Sequence, residues 1–188
     1  MTKLLETIKC RDGSVFHLNY HQQRVNTSRA KLGFDNTLKL ELSPPKNGLY
    51  RCRIVYEKEI EKLEYIPYRA KKIQSFKLLE TDISYSLKYE NRDEINALFA
   101  QKEEADEIIM VKNGLVTDTS IANICFYNGK EWLSPKSPLL KGTTRQRYLD
   151  ASRIKIADIP LKEIKNYSKI AVMNAMVDFY IIENAIIL

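Results

Sequence analysis

The amino-acid sequence predicts an α+β protein of two lobes, and three observations support this fold class. Asn-Gly pairs at 113–114 and 128–129 each lie between runs of apolar and β-branched residues, the strongest short-range signal for an antiparallel hairpin. Runs with helical period are interspersed with these strand signals. A proline and a charge run at 67–72 mark a change of pattern between a small lobe, 1–67, and a larger lobe, 68–188.

The small lobe is predicted to contain two hairpins and one helix. Leu4–Cys10 and Ser14–Asn19 flank an Asp-Gly turn, whereas Leu49–Tyr56 and Glu61–Pro67 flank a charged turn. Between the hairpins, Tyr20–Lys31 contains good helix formers and is followed closely by a glycine, the residue expected after a helix C-terminus.

The larger lobe is predicted to be organised around a three-stranded antiparallel segment. A strand over Ile73–Leu79 and a helix over Tyr89–Lys102 precede this segment, and a helix over Thr144–Arg153 follows it. The other predicted strands are Glu107–Lys112, Leu115–Tyr127 (with a break near Thr119 left open), Glu131–Leu133, Lys169–Met173 and Phe179–Ile187.

Composition describes an ordinary globular protein. The chain has 188 residues, of which 44% are hydrophobic and 29% charged, and no apolar run approaches the length of a membrane span. The N-terminal residues lack the apolar core of a signal peptide, so a cytoplasmic location is expected. Three widely spaced cysteines argue against a disulfide framework and against a zinc site.

The distribution of charge argues against a nucleic-acid partner and is consistent with an anionic small molecule. The net charge is +6 and the isoelectric point is near 9.1, but the basic residues are spread along the chain and mixed with acids. A nucleic-acid footprint would instead be a clustered patch. Nucleic-acid binding therefore stays a fallback class, and anionic small molecules are equally consistent with the excess positive charge.

Several residues could carry chemistry, and each also has an ordinary structural interpretation. The Gly-Thr-Thr step at 142–144 enters a helical pattern, so its backbone N–H groups, hydroxyls and positive helix end suit a phosphate; a plain helix N-cap is the alternative. Lys88 could act as a nucleophile or base, although most lysines in so basic a chain are solvated. Asp118 lies within the hairpin segment, where a buried carboxylate would need a cationic partner.

Six motifs occur in a fixed order along nearly the whole chain. They are Leu5-Glu6-Thr7-Ile8, His21-Gln22-Gln23-Arg24, Lys88-Tyr89-Glu90-Asn91-Arg92, Val116-Thr117-Asp118 through Ala122-Asn123-Ile124, Leu140–Arg145, and Met173-Asn174-Ala175-Met176. In this order they resemble the class IV aminotransferases, the fold-type IV family of pyridoxal 5′-phosphate (PLP) enzymes. Within that family the resemblance is strongest to the 4-amino-4-deoxychorismate lyases.

The resemblance implies a PLP enzyme of two lobes, with a D-amino acid aminotransferase-like architecture and the cofactor between the lobes. Lys88 would form the covalent link to PLP and then act as the proton-transfer base, with Thr7 assisting the elimination. A carboxylate at Asp118 would face the pyridine nitrogen and keep it protonated. The residues implied to bind the cofactor are Arg24, Lys88, Arg92, Asp118, Thr143, Thr144, Asn174 and Ala175.

The chain departs from the family pattern in two places. Family members carry additional residues ahead of the Glu-Thr-Ile strand, so the resemblance implies a shortened N-terminal lobe. Asp118 stands where most members have glutamate, and its side chain is one methylene shorter. Either the hairpin approaches the cofactor ring more closely, or a water bridges the gap.

The activity implied by the resemblance is the elimination of pyruvate from 4-amino-4-deoxychorismate, which gives 4-aminobenzoate for folate synthesis. A cytoplasmic homodimer is expected on the same grounds. Two alternatives stay open: a class IV aminotransferase acting on branched-chain or D-amino acids, and a paralogue that binds a ligand without turnover.

Overall fold

The chain divides into two compact units. The structure, a computed structural model, describes residues 2–188. The first unit comprises the chain up to Ala70 together with Leu87–Asn91, and the second comprises Lys71–Ser86 and Arg92–Leu188.

An antiparallel sheet of four strands and one helix form the first unit. The strands are β1 (Leu4–Arg11), β2 (Ser14–Val15), β3 (Leu49–Tyr56) and β4 (Ile60–Pro67), in the order β2-β1-β3-β4, and the helix is α1 (Leu18–Lys31). Even-numbered residues of β1 such as Leu4 and Ile8 are buried in a core that also contains Val25 of α1. Odd-numbered residues lie on the opposite, more open face, because successive side chains of a strand alternate.

The first hairpin is shorter than the sequence pattern predicts. The Asp-Gly turn is present, with φ values of 49° at Asp12 and 77° at Gly13, as a two-residue hairpin turn requires. The second strand ends at Val15, however, and not at Asn19. His17 takes a left-handed conformation with a φ of 54°, which turns the chain so that α1 begins at Leu18.

Residues 87–91 belong to the first unit, which corrects the predicted lobe division. The N–H of Leu5 donates to the carbonyl of Lys88 at 2.8 Å, and the N–H of Glu90 donates to the carbonyl of Lys3 at 2.9 Å. Leu87 completes the core of the unit. Lys88 therefore lies in the first unit and not in the larger lobe, because this segment pairs with the free edge of β1.

A nine-stranded sheet organises the second unit. Its strands run in the order β10-β9-β8-β7-β6-β5-β13, with β11 paired to β8 and β12 paired to β11. The strands are β5 (Ser75–Glu80), β6 (Glu107–Lys112), β7 (Leu115–Thr119), β8 (Asn123–Tyr127), β9 (Trp132–Pro135), β10 (Lys155–Ala157), β11 (Lys169–Asn174), β12 (Asp178–Ile182) and β13 (Ile186–Ile187). The helices are α2 (Asp93–Phe99) and α3 (Thr143–Asp150), with short 3₁₀ segments at Ala100–Lys102 and Leu161–Asn166.

Three predicted elements of the second unit can be compared with the structure. The break near Thr119 is present, since β7 ends there and β8 begins at Asn123. The helix predicted from Tyr89 begins only at Asp93, because Tyr89 forms a bridge with Leu4. The single strand predicted at the C-terminus is wrong: β12 and β13 are separated by a turn in which Asn184 has a φ of 55°.

Two features are absent from the described residues: a helix that could cross a membrane and a cluster of metal ligands. Among residues 2–188, no helix is both long and apolar enough to cross a membrane. Within the same range, no group of three or more histidine, cysteine, aspartate or glutamate side chains is arranged to hold a metal ion.

Candidate active site

A buried ion cluster links β1 to α1 in the first unit. The Glu6 carboxylate is fully buried and accepts hydrogen bonds from Arg24 Nε at 2.7 Å and Arg24 Nη2 at 2.6 Å. It also accepts one from His21 Nδ1 at 2.7 Å, so this ring nitrogen carries a proton. His21 and Arg24 are three residues apart and share one face of α1, which is why both reach the same carboxylate.

The environment of Glu6 keeps its carboxylate ionised. Burial by itself raises the pKa of Glu6, but the positive charge of Arg24 and the hydrogen bonds from His21 and Arg24 outweigh burial and lower the pKa to about 2. The two-point contact fixes the guanidinium of Arg24, whose side chain is 13% exposed. Arg24, the predicted phosphate ligand, is thereby held in one orientation.

Lys88 and Thr7 share the open face of the first sheet. Leu4 lies opposite Tyr89 in an antiparallel bridge, so Leu5 lies opposite Lys88. Directly opposed residues point to the same face of a sheet, and Thr7 lies two residues further along β1 on that face. Both side chains are half-buried. The two residues predicted to act in catalysis are therefore neighbours, whereas Glu6 faces the opposite side.

Asp118 lies in a polar network at the end of β7. Its Oδ1 accepts a hydrogen bond from Asn123 Nδ2 at 2.7 Å, and its Oδ2 accepts one from the N–H of Leu140 at 3.0 Å. The same Asn123 amide donates to the carbonyl of Leu140 at 2.7 Å, and its Oδ1 accepts from the N–H of Gly142 at 3.1 Å. Asn123 therefore connects the predicted ring-nitrogen acid to the predicted phosphate turn.

The turn before α3 presents backbone donors at a helix N-terminus. Gly142 has an extended backbone, and the first helical hydrogen bond runs from the N–H of Gln146 to the carbonyl of Gly142, so the N–H groups of Thr143, Thr144 and Arg145 precede the ladder. The first turn contains no acidic residue. A β-carbon added at Gly142 would lie 2.1 Å from Asn123 Oδ1, so only glycine fits this approach. The arrangement suits an anion.

The buried side chain of Arg145 connects this turn to β9. It is 4% exposed, and it donates from Nε to Ser134 Oγ at 2.9 Å and from Nη2 to the carbonyl of Pro135 at 2.9 Å. Burial lowers the pKa of its guanidinium, and Asp118 opposes this effect. Arg145 thus fixes the start of α3 to β9, and its side chain is not directed to solvent.

Asn174 and Ala175 lie in the tight turn between β11 and β12. Asn174 Oδ1 accepts from the N–H groups of Met176 at 2.9 Å and Val177 at 3.0 Å, and its Nδ2 donates to the carbonyl of Ile121 at 3.4 Å. The side chain of Asn174 therefore joins its own turn to the turn between β7 and β8. A role of Asn174 and Ala175 in binding the phosphate stays a prediction.

The side chain of Arg92 donates a hydrogen bond to the backbone of the β7–β8 turn. Its Nη2 donates to the carbonyl of Ser120 at 2.7 Å. The buried Glu107 carboxylate accepts from the N–H of the same Ser120 at 3.2 Å, and from the N–H of Ile108 at 2.8 Å. Ser120 is thus held from both sides, and any role of Arg92 toward a cofactor stays a prediction.

The sequence motifs contained residues whose roles the pattern alone did not assign. Glu6 and Asn123 lie inside the motifs, but their contacts are visible only in the structure. The Glu6 carboxylate is paired with the guanidinium of Arg24, and the Asn123 side chain makes three hydrogen bonds. A carboxylate on the core-facing side of an otherwise apolar strand was the available signal for Glu6, since such a charge needs a partner.

Ionisation of Asp118 gives a testable pH dependence. Burial raises the pKa of Asp118 to about 7 from an ordinary value of 3.8, although Leu140 and Asn123 oppose the rise. Because the folded carboxyl binds its proton more tightly than the unfolded one, this residue removes stability as the pH rises from about 4 to about 7, by roughly 4 kcal/mol in total. Asp118→Asn cannot ionise at this position, so its free energy of unfolding is expected to lack this pH-dependent loss. Urea unfolding of both proteins without PLP, between pH 4.5 and 7.5, measures it; a difference between them that is constant with pH would contradict the assignment.

The chain belongs to the amino-transferase class IV family, whose sequence profile matches residues 89–185. An uncharacterized protein of Haemophilus influenzae is 38% identical over 185 residues, which cover 94% of this chain and 98% of the relative. A crystal structure from Haemophilus somnus 129PT, described as a candidate 4-amino-4-deoxychorismate lyase, is 35% identical, with a TM-score of 0.83 over 94% of this chain and 97% of that one. The resemblance seen in the motifs is thereby confirmed.

The fold is that of the fold-type IV PLP enzymes. The PLP-bound form of a hypothetical aminotransferase from Mycobacterium tuberculosis shares it with a TM-score of 0.80, at 15% identity, over 99% of this chain and 81% of that one. The predicted fold class is therefore confirmed. Pyridoxal 5′-phosphate, the cofactor inferred from the motifs, is confirmed at the level of the family.

Proposed function

We propose that this chain is a PLP-dependent lyase of the aminodeoxychorismate lyase type, which converts 4-amino-4-deoxychorismate into 4-aminobenzoate and pyruvate. The observation that carries the proposal is the shared face of Lys88 and Thr7, since a hydroxyl beside the cofactor lysine is what the lyase motif implies. The similarity to a candidate lyase of nearly the same length supports it.

The residues present fit the cofactor. In the second unit, the backbone donors at Thr143 and Thr144 and the close approach that only glycine permits at Gly142 suit its phosphate. In the first unit, the fixed guanidinium of Arg24 has the chemistry of a phosphate donor. Asp118 would accept from the protonated pyridine nitrogen, and that positive charge would lower the pKa of a carboxyl that burial has raised. When bound, PLP supplies an electron sink that makes a carbon–hydrogen bond next to the reacting amine acidic.

Lys88 and Thr7 would divide the proton transfers of the elimination. Lys88 Nζ would take the proton from the ring carbon that bears the substrate amine. The hydroxyl of Thr7 lies on the same face, where it can orient the departing enolpyruvyl group or carry a proton to it. The bond between the neighbouring ring carbon and the enolpyruvyl oxygen would break as the ring becomes aromatic, and the methylene carbon of the released enol would gain a proton to give pyruvate. No external amino acceptor is consumed.

Covalent labelling tests the assignment of Lys88. PLP-treated protein reduced with borohydride is expected to carry the label on Lys88, and Lys88→Ala is expected to lose both the label and pyruvate release, because Lys88 carries the amine that the motif assigns to PLP. Lys130→Ala, at an exposed turn, is the matched control and should behave as wild type. Label on a different lysine, or none, would overturn the proposal.

The aminotransferase alternative predicts a different product. A transaminase converts the cofactor to its pyridoxamine form when an amino acid is added, whereas the lyase releases pyruvate from its substrate without an acceptor. Absorbance of the cofactor with D-alanine or a branched-chain amino acid, measured beside pyruvate release from 4-amino-4-deoxychorismate, separates the two activities.

A further inference from the structure

The open face of the first sheet, which carries Thr7, is rich in positive charge. In the register of β1 and β3, Thr7 lies opposite Arg53, and Lys9 lies opposite Arg51. All four side chains point to the face that Leu5 shares with Lys88, because they lie at odd positions of β1 or directly across from them. Three cations therefore border the proposed catalytic threonine.

Two of these cations have partners within the unit. Arg53 donates from Nη2 to Glu90 Oε1 at 2.9 Å, and its Nη1 lies 3.6 Å from Glu64 Oε2. The ammonium of Lys9 lies 5.6 Å from the ring centre of Phe16, a cation–π distance. The charge of Arg53 is thus compensated by two carboxylates, and Lys9 is drawn towards an aromatic ring.

Arg51 differs from its neighbours. Among residues 2–188, its Nε is the one buried side-chain nitrogen or oxygen that has no hydrogen-bond partner. A buried donor left unpaired is costly and unusual, which points to a partner supplied from outside the chain. Tyr68 lies on the same face: its N–H donates to the carbonyl of Leu49 at 2.9 Å, so in the register of β3 and β4 it is opposite Leu49, two residues from Arg51. Burial raises the pKa of Tyr68, and the positive charge of Arg51 opposes the rise. Arg51 and Tyr68 together offer donors for one anionic group.

We propose that Arg51 binds a carboxylate of the substrate, with Tyr68 beside it. The guanidinium has a planar fork that matches a carboxylate, and a substrate oxygen would satisfy the unpaired Nε. This inference rests on the proposed function for the identity of the substrate. It adds the group by which the substrate is recognised, and it assigns this role to Arg51 and not to the neutralised Arg53.

The position of Arg51 along the sheet selects a class of carboxylate. The row of Lys9 and Arg51 lies four residues along β1 from the row of Leu5 and Lys88, which is about 13 Å in the strand direction. Arg51 and Lys88 also lie on opposite sides of β1, two strand spacings or about 10 Å apart across the sheet. In an α-amino acid the carboxylate is attached to the carbon that bears the amine, too close to reach both residues. In 4-amino-4-deoxychorismate and 4-aminobenzoate a six-membered ring separates the amine from a carboxylate. Arg51 therefore favours a ring amino acid over the substrates of an aminotransferase.

Calorimetric titration of PLP-treated protein with two probes tests this role. The probes are 4-aminobenzoate and its neutral isostere 4-aminobenzamide, which keeps the ring and the amine. Arg51→Gln is expected to weaken 4-aminobenzoate binding by roughly 10- to 100-fold, the range for a lost charge-assisted hydrogen bond, and to leave 4-aminobenzamide unchanged. Arg51→Lys keeps the positive charge but loses the planar fork, so its affinity for 4-aminobenzoate should lie between those of the wild type and Arg51→Gln. Lys62→Gln, at an exposed position of β4, controls for the loss of one positive charge.

The outcomes separate this inference from the proposed function. Wild-type protein that does not distinguish the two probes, or an equal loss in Arg51→Gln and Lys62→Gln, would overturn the role of Arg51. Borohydride labelling of the same samples reports on Lys88 independently. If Lys88 is labelled but the protein does not distinguish 4-aminobenzoate from 4-aminobenzamide, the role of Arg51 is rejected and the lyase proposal stands. If the protein distinguishes the two probes but Lys88 is not labelled, the lyase proposal is rejected and the role of Arg51 stands. Urea unfolding of each variant shows that a lost affinity is not a lost fold.

Discussion

Gly142→Ala is expected to weaken PLP binding at least tenfold and to lower the free energy of unfolding by roughly 2–4 kcal/mol. The added β-carbon would lie 2.1 Å from Asn123 Oδ1, a separation that no folded structure tolerates. Asn123 is 5% exposed and is held by Asp118, Leu140 and Gly142, so it cannot turn aside without losing these hydrogen bonds. Overpacking costs about 1–3 kcal/mol and each lost hydrogen bond about 1 kcal/mol.

A double-mutant cycle gives this prediction its control. In Asn123→Ala the oxygen that meets the new methyl group is absent, so Gly142→Ala should cost much less in that background. Affinity for PLP is followed by its absorbance, and stability by urea unfolding. Equal costs of Gly142→Ala in both backgrounds would show that the turn does not depend on the contact between Gly142 and Asn123.

Glu6→Gln is expected to lower the free energy of unfolding by about 3–5 kcal/mol at neutral pH, the usual cost of removing one partner of a buried ion pair. The substitution keeps the shape of the side chain but leaves the guanidinium of Arg24 and the ring of His21 without their shared carboxylate. Because the orientation of Arg24 depends on that contact, PLP affinity should also fall. Glu61→Gln, which removes an exposed carboxylate paired with Lys3, should leave stability nearly unchanged, because surface ion pairs contribute little.

The pH dependence of Glu6→Gln has a definite sign. The folded pKa of Glu6, about 2, lies below its ordinary value of 4.5, so the ionised carboxylate stabilises the fold above pH 4.5, by about 3 kcal/mol. This stabilisation is lost as the pH falls from 4.5 towards 2. Urea unfolding at pH 7 and at pH 3 should show the gap between wild type and variant narrowing in acid, and a gap that stays constant or widens there would refute the ionised cluster.

Local patterns in the sequence predicted much of the fold, because hairpins and helices depend on nearby residues. The Asp12-Gly13 and Asn113-Gly114 turns were correct, with a positive φ at both residues, because this conformation needs only the local sequence. At Asn128-Gly129 the hairpin is present but only Gly129 has a positive φ: Tyr127 pairs with Trp132 across a longer loop, in which Asn128 Oδ1 accepts from the N–H groups of Lys130 and Glu131. The predicted placement of Lys88 in the larger lobe was wrong, because residues 87–91 pair with β1, and this pairing joins residues more than eighty positions apart. Helical periodicity from Tyr89 was likewise overridden by its bridge to Leu4.

The candidate site was predictable in its residue types but not in its connections. Motif order indicated Lys88, Asp118 and the threonine turn before their geometry was known. The bonding of Asn123 to both Asp118 and Gly142 could not be predicted, because it depends on side-chain positions across two loops. The unpaired Nε of Arg51 has no signature in the sequence, since an alternating strand with arginines looks like any solvated strand.

The pairing of residues 87–91 with β1 has a consequence for the order of folding. During synthesis, the four strands of the first unit are complete at Pro67, yet its core lacks Leu87 and the edge of β1 lacks its partner until residue 91 has emerged. A fragment ending at Ala70 should therefore fold poorly and expose a strand edge prone to aggregation. Lys88, the proposed PLP lysine, is thus carried by a segment that the first unit needs in order to fold.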